Sequence, residues 1–207
     1  MVAAQLRARG LADARVLDAM ERVPRELFVP DERALEAYDD SPLPIGAGQT
    51  ISQPFMVALS TILARIPPGG RVLEVGTGSG YQAAILAQLA GQVVSIERHA
   101  ALAEGARAAL GAAGITNVEV RVGDGSLGVP ERAPFDAIVV TAAAPKIPPA
   151  LVLQLAPGGR LVIPTGPRDV QRLQVVTRGH SGELRIDDHE ACRYVPLVGV
   201  QGFGELN

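Results

Sequence analysis

The sequence predicts an α/β protein: a doubly wound, mostly parallel sheet with helices on both faces and an N-terminal helical and loop cap. Three observations lead there. A short apolar run, Arg71 to Val75, stops at Gly76-Thr77-Gly78-Ser79-Gly80 and gives way to a helix-compatible segment from Tyr81 to Leu89. Two further strand-like runs end in acids, Gln92 to Ile96 before Glu97 and Asn117 to Val122 before Gly123-Asp124-Gly125. One such acid is usually a solvated loop carboxylate, but several at successive strand ends mark the edge where open α/β sheets bind ligands. The chain has 207 residues, 47% of them hydrophobic, which is enough for one ordinary α/β domain.

Composition narrows the function classes. No run approaches the ~20 apolar residues of a membrane span, and no basic-then-apolar signal peptide opens the chain. A single cysteine, Cys192, excludes an intramolecular disulfide and a CxxC metal site. The simplest expectation is a cytoplasmic protein. A net charge of −3, with both signs mixed along the chain, leaves no footprint for nucleic acid.

The elements follow in order. Gln5 to Arg9 can form a short helix ended by Gly10. Asp13 can cap a second, with Val16, Leu17 and Met20 on one face and Pro24 at its end. Both lie well before the central strand, so they are read as a cap. Tyr38 to Pro54, YDDSPLPIGAGQTISQP, is proline-rich and shows neither helical nor strand periodicity. Structureless loops longer than about 15 residues are uncommon and usually functional or disordered. Leu43, Ile45 and Ile51 argue against disorder, so an ordered lid or substrate rim is expected in preference to a plain surface linker. Pro54 can open a helix with Phe55, Leu59, Ile62 and Leu63 on its apolar face, before the turn Pro67-Pro68-Gly69-Gly70.

The glycine turn has the spacing G-x-G-x-G, and Tyr81 stands where a dinucleotide fingerprint would carry its third glycine. A P-loop lysine is missing too, so the turn suits a triphosphate poorly. Glu74, inside the strand, suits a ligand with a cationic amino-acid end. Downstream, Pro134 to Val140 reads as a fourth strand ending in Thr141-Ala142-Ala143-Ala144-Pro145. Pro148 to Leu155 is expected as a helix, Pro157-Gly158-Gly159 as a turn and Arg160 to Pro164 as a fifth strand. Leu173 to Thr177 and Leu184 to Ile186 form a hairpin through His180-Ser181-Gly182, and Cys192 to Val198 a last apolar strand. The reading is one domain, with residues 1–66 as cap and substrate loop, 67–165 as ligand-binding core and 166–207 as C-terminal strands.

The pattern E-V-G-x-G-x-G resembles the first motif of the methyltransferases that use S-adenosylmethionine (SAM), which implies a Rossmann-like fold and that cofactor. Methyl transfer from sulfonium is an in-line displacement, so the acceptor must be aligned, dried and, unless already anionic, deprotonated. TAAAP after the fourth strand lacks the Asp/Asn-Pro-Pro-aromatic pattern of base-amino methylation. Cys192 has no basic neighbour except Arg193, and His99, His180 and His189 are dispersed without metal-ligand spacing. The edge looks poor in general bases, which favours an acceptor that needs none: a carboxylate.

A more specific resemblance runs over essentially the whole chain. VPRELFVP (Val23 to Pro30), DDSPLPIGAGQTISQP (Asp39 to Pro54), EVGTGSGY (Glu74 to Tyr81), SIER (Ser95 to Arg98), GDG (Gly123 to Gly125), PFDAIVVTAAAPKIP (Pro134 to Pro148), LAPGGRLVIP (Leu155 to Pro164) and YVPLVG (Tyr194 to Gly199) are similar to the protein-L-isoaspartate O-methyltransferase family. The resemblance implies a repair enzyme that methylates the free α-carboxylate of L-isoaspartyl residues, leaving an ester that closes spontaneously to a succinimide and hydrolyses partly to normal aspartate. It implies Ser52 as the active-site residue, acting by a hydrogen bond to the substrate carboxylate or by fixing it in line with the methyl; a cap on the helix near Pro54 is the lesser alternative, and both can hold together. Gly76, Gly78 and Gly80, with Thr50, Ile51, Glu74, Thr77, Ser79 and Thr141, are implied to hold the donor. Arg98 is implied among the donor-binding residues, Glu97 at the ribose, and Asp124 with Gly125 at the adenine. Ile45, Gly46, Gln53 and Val198 are implied to border the peptide, and no residue to hold a metal. Where the family commonly reads P-L-T-G, this chain has Pro196-Leu197-Val198-Gly199 and lacks the hydroxyl. The implied partners are isoaspartyl proteins and peptides, with no nucleic acid or membrane and a monomeric chain. The implied strand order begins 3-2-1-4-5. Two other readings stay open: a SAM methyltransferase for a small carboxylic acid, and a SAM-binding protein without turnover.

Overall fold

The computed structural model describes residues 1–204. Its centre is β3 (Arg71–Val75), flanked in parallel by β4 (Gln92–Glu97) and β6 (Phe135–Val140). Val72, Leu73 and Val75 are completely buried, because helices cover both faces of the sheet. That explains a continuous apolar run where a one-sided strand would alternate. With β5 (Val118–Val122), β7 (Leu155–Thr165), β8 (Gln171–Arg178) and β9 (Leu184–Cys192), the sheet runs β5-β4-β3-β6-β7-β8-β9. The first five are parallel and the last two antiparallel. Counted from β3, the order opens 3-2-1-4-5 as expected. The strand order reverses between β3 and β6, and the crevice beyond their carboxyl ends is where such sheets bind ligands.

The cap folds largely as its sequence implies. Residues 2–9 form a wide π-helical turn (Val2–Leu6) followed by a tight 3-10 turn (Arg7–Arg9), ending at Gly10 in the left-handed region at φ 86°. In α1 (Ala14–Arg22) the Asp13 carboxylate accepts the Val16 N–H at 3.1 Å, and Val16, Leu17 and Met20 are buried. They pack with Leu6, Phe28, Tyr81 and Ile85, so the cap shares a core with the sheet's own helices. Each fully buried Leu or Phe contributes roughly 1.5–3 kcal/mol there. Behind the cap lies α2 (Pro54–Ala64), which buries Phe55, Val57, Ala58, Thr61 and Ala64 and leaves Leu59, Ile62 and Leu63 half-buried. The expected single apolar face is replaced by burial on several sides, because α2 is wedged between α1 and strands β6 and β7.

Several expectations are corrected. The segment before Pro54 is not devoid of strand: β1 (Leu43–Gly46) and β2 (Gln49–Ile51) form an antiparallel hairpin with Leu43 opposite Ile51. Its turn uses Ala47 and Gly48 at φ 49° and 67°, the left-handed pair that a tight hairpin requires. Pro157-Gly158-Gly159 does not separate helix from strand. It lies within β7, which pairs Leu155 with Phe135 and slips register before Arg160 meets Ala137. The helix expected over Pro148–Leu155 shrinks to α5 (Pro149–Leu153). Cys192–Val198 is not a strand beyond its first residue. It is a strap touching the body through isolated bridges, Ala143 to Pro196 and Val198 to Phe203, since Pro196 has no N–H to give a ladder. The structure also has α3 (Tyr81–Ala87) after the glycine turn and α4 (Ala100–Ala112) against β4 and β5.

Candidate active site

The site begins where β3 ends. The chain turns through Gly76 at φ 95° and Gly78 at φ 52°, both left-handed. Thr141, the first residue past β6, donates its N–H to the Val75 carbonyl at 2.9 Å and its hydroxyl to the Gly76 carbonyl at 2.5 Å. A Cβ on Gly76 would lie 2.5 Å from that hydroxyl, so only glycine lets the two strand ends close. At the end of β4, the Glu97 carboxylate accepts the Gly78 N–H at 2.9 Å and the His99 N–H at 3.0 Å.

Glu74 takes another place. Its side chain is wholly buried beneath the turn, where Ser95 hydrogen-bonds to it and the Thr77 hydroxyl lies 2.5 Å from that of Ser95. Burial pushes its pKa up to about 8, against the Ser95 hydrogen bond and helped by the nearby Glu97 charge. Thr77 is buried in the same network. Asp124 accepts the Ser126 N–H at 2.9 Å, the Ser126 hydroxyl at 2.7 Å and the Val200 N–H at 2.8 Å, tying β5 to the C-terminal strap. Burial alone would raise its pKa. Hydrogen bonds from Val200 and Ser126, with the charge of Arg98, outweigh that and hold it below the usual carboxylate range.

Two spaces open at this edge. The first, about 90 Å³, lies between the glycine turn, Glu97, Arg98 and Gly125 on one side and Gln49, Thr50 and the strap Val195–Val198 on the other. It is smaller than the roughly 300–1,000 Å³ usual for small-molecule sites. The second, about 600 Å³, is lined by Ser52, Gln53, Met56 and the segment Ala191–Tyr194, with exposed Asp169 and Arg193 at its rim. Thr50, Thr141 and Val195 line both, so the two spaces meet at one wall.

The expected site residues distribute unevenly. Thr50, Gly76, Gly78, Glu97, Arg98, Gly125 and Thr141 border the first space, as does Val198, which was expected on the peptide side. Ser52 and Gln53 border the second. Asp124 opens with Arg98 and Val198 onto an adjoining surface cleft. Ile45 and Ser79 line a separate groove against Phe28 and α4. Ile51 is buried, Gly46 is exposed at the hairpin tip, and Gly80, at φ 91°, caps α3. Gln49, His99 and Leu197 in the first space and Met56 and Tyr194 in the second were not foreseen. Gln49 and His99 adjoin motif residues, which was the available signal; Met56 reads in sequence only as helix core.

Chemically, the second space has no histidine in its lining. Burial pushes the Cys192 thiol up to about 11 and raises the Tyr194 phenol, so both are neutral at physiological pH. Among the described residues no group of three or more His, Cys, Asp or Glu could hold a metal, and no helix is long and apolar enough to cross a membrane. The site can position an acceptor and a polar ligand side by side, but it offers no proton relay ending at Ser52.

Comparison with known proteins gives one consistent result. The family model described as protein-L-isoaspartate(D-aspartate) O-methyltransferase (PCMT) matches residues 1–202. A protein-L-isoaspartate O-methyltransferase of Methylorubrum extorquens is 58% identical over 198 residues, covering 96% of this chain and 86% of that one. Another, from Rhodopseudomonas palustris, is 54% identical over 207 residues, covering 100% and 84%. A solved protein-L-isoaspartate O-methyltransferase superposes with a TM-score of 0.84 at 31% identity, over 95% of this chain and 65% of that longer one. A Plasmodium falciparum structure assigned to the same activity, in complex with S-adenosyl-L-homocysteine, gives 0.81 at 28% identity over 93% and 94%. The chain therefore belongs to the protein-L-isoaspartate(D-aspartate) O-methyltransferase family.

Proposed function

We propose that this chain transfers the methyl group of SAM to the free α-carboxylate of L-isoaspartyl residues in damaged proteins and peptides, with Ser52 orienting the acceptor. The observation that carries the reading is the shared wall of Thr50, Thr141 and Val195, which sets a donor-type space beside the space holding Ser52. The residues present fit the cofactor. Gly76 and Gly78 of the turn line the space, Glu97 offers acceptors suited to ribose hydroxyls, and Gly125 with Asp124 borders the far end. When bound, SAM supplies an activated methyl on a sulfonium.

The chain's own task is then alignment and exclusion of water. A carboxylate carries its negative charge at neutral pH, so no residue need remove a proton, which agrees with a second space lacking histidine and thiolate. The Ser52 hydroxyl donates to one carboxylate oxygen and leaves the other to face the wall. Gln53 and the hairpin edge frame the peptide. The second space reaches the surface beside exposed Asp169 and Arg193, which favours an entering chain segment over a small acid in a sealed pocket. The reading includes one cytoplasmic, monomeric domain without a nucleic-acid partner, supported by the mixed charge of the chain.

The test is transfer of radiolabelled methyl from SAM to matched peptides that differ only in an isoaspartyl or aspartyl link. Base-labile label on the isoaspartyl peptide alone is expected. Equal labelling of both, or none of either, rejects the proposal.

A further inference from the structure

Arg25 is completely buried in the turn Arg25–Phe28. Burying a guanidinium costs several kcal/mol unless its donors are well placed, so its partners indicate what holds it there. Its Nε donates to the Ala37 carbonyl at 2.6 Å and its Nη2 to the Ser52 carbonyl at 2.8 Å. Its guanidinium carbon lies 4.6 Å from the centroid of the Tyr81 ring, and Tyr81 is the residue that opens α3 just after the glycine turn. From another side, Asp40 accepts the Phe55 N–H at 3.0 Å and the Gln53 side-chain amide at 2.8 Å, and is itself held by Arg9 at 2.9 Å.

Between these two groups runs Ser52-Gln53, the link from the end of β2 to the start of α2. It belongs to neither ladder nor helix, and Pro54 contributes no N–H. Gln53 is tied to α2 through its carbonyl, which accepts the Met56 and Val57 N–H groups at 3.0 and 3.2 Å, whereas the Ser52 carbonyl is held by the Arg25 side chain. We propose that Arg25 and Asp40 form a clamp that positions Ser52 in the second space, beside the wall shared with the donor space, making both positioning residues for methyl transfer. Arg25 refers Ser52 to Tyr81 and hence to the glycine turn; Asp40 fixes the helix start that follows. The inference rests on the role of Ser52 given under the proposed function.

The test uses Asp40→Asn, which keeps the side chain's shape and removes its charge, together with Arg25→Lys, which keeps the charge but not the fork. Since a misplacement of about 1 Å can cost roughly 100-fold in rate, kcat should fall by about 10- to 100-fold in each, with affinity for S-adenosylhomocysteine unchanged. A second readout separates positioning from general damage: combined with Ser52→Ala, Asp40→Asn should add little further loss, because both act through one hydroxyl. Unchanged kcat in Asp40→Asn, parallel loss of S-adenosylhomocysteine binding, or fully additive losses would each overturn the clamp. If Arg25→Lys does not fold, the Asp40→Asn measurements alone decide. Wild-type transfer to isoaspartyl peptide, run alongside, tells failure of the clamp from failure of the proposed activity.

Discussion

The Glu97 carboxylate grips the backbone N–H of Gly78 at 2.9 Å, joining the end of β4 to the glycine turn that follows β3. Its other oxygen holds the His99 N–H, so one acid orders two backbone segments at the donor space. Glu97→Gln keeps the shape and removes the charge. Hydrogen bonds to charged groups contribute about 1.5–3 kcal/mol, so affinity for S-adenosylhomocysteine should drop roughly 10- to 150-fold by titration calorimetry. Unaltered binding would place the ribose elsewhere.

Ser52→Ala removes a hydroxyl beside the second space while leaving the carbonyl that Arg25 holds. A donor to a carboxylate is expected to contribute about 1.5–3 kcal/mol, so kcat/KM for an isoaspartyl peptide should fall roughly 10- to 150-fold. S-adenosylhomocysteine affinity should stay constant. Joint loss of cofactor binding and activity would make Ser52 a structural residue instead, although it does not cap α2, whose N-cap is Gln53 with no side-chain capping bond.

Val198 borders the space beside Gly78 and Glu97 and the cleft beside Asp124, and does not line the space of Ser52. Val198→Thr should therefore alter cofactor affinity more than peptide KM, by about 0.5–1.5 kcal/mol for one neutral hydrogen bond. A change confined to peptide KM would return the residue to the peptide groove.

Glu74 sets a pH dependence of stability. Its folded pKa of about 8 lies above its ordinary value of 4.5, so between those values the native state binds the extra proton and stability falls as pH rises. The contribution is fully present below about pH 4.5 and lost by about pH 8. Glu74→Gln, a neutral mimic of the acid form, should flatten this part of the urea-denaturation profile and be more stable than wild type near pH 8. Superimposable pH profiles would show that Glu74 is ionised in the fold.

The parallel core was legible for a local reason. Val72, Leu73 and Val75, like Ile138 to Val140, are buried on both faces and so read as unbroken apolar runs ending at a glycine or a small residue. Asp13 announced α1 because its cap needs only the residues that follow it. The hairpin β1–β2 was illegible because Pro44 and Gly46 break its alternation, with a bulge between them. Cys192 to Val198 reads as strand by composition, yet backbone hydrogen bonds of Val195 and Leu197 go to Ala143 and Phe203. Glu74 and Glu97 look alike as acids at strand ends. In register Glu74 lies opposite Ser95, two positions short of Glu97, and that offset decided that Glu97 borders the donor space while Glu74 is sealed beneath the turn.

By itself the sequence determined the central strands, the glycine turn and the family, since each rests on residues adjacent in the chain or on motifs in fixed order. Only the tertiary structure decided that Ser52 and Thr141 border one space and that the first space narrows under the strap. Those relations depend on bonds between distant partners, Arg25 to the Ser52 carbonyl and Asp124 to the Val200 N–H, whose geometry no local pattern encodes.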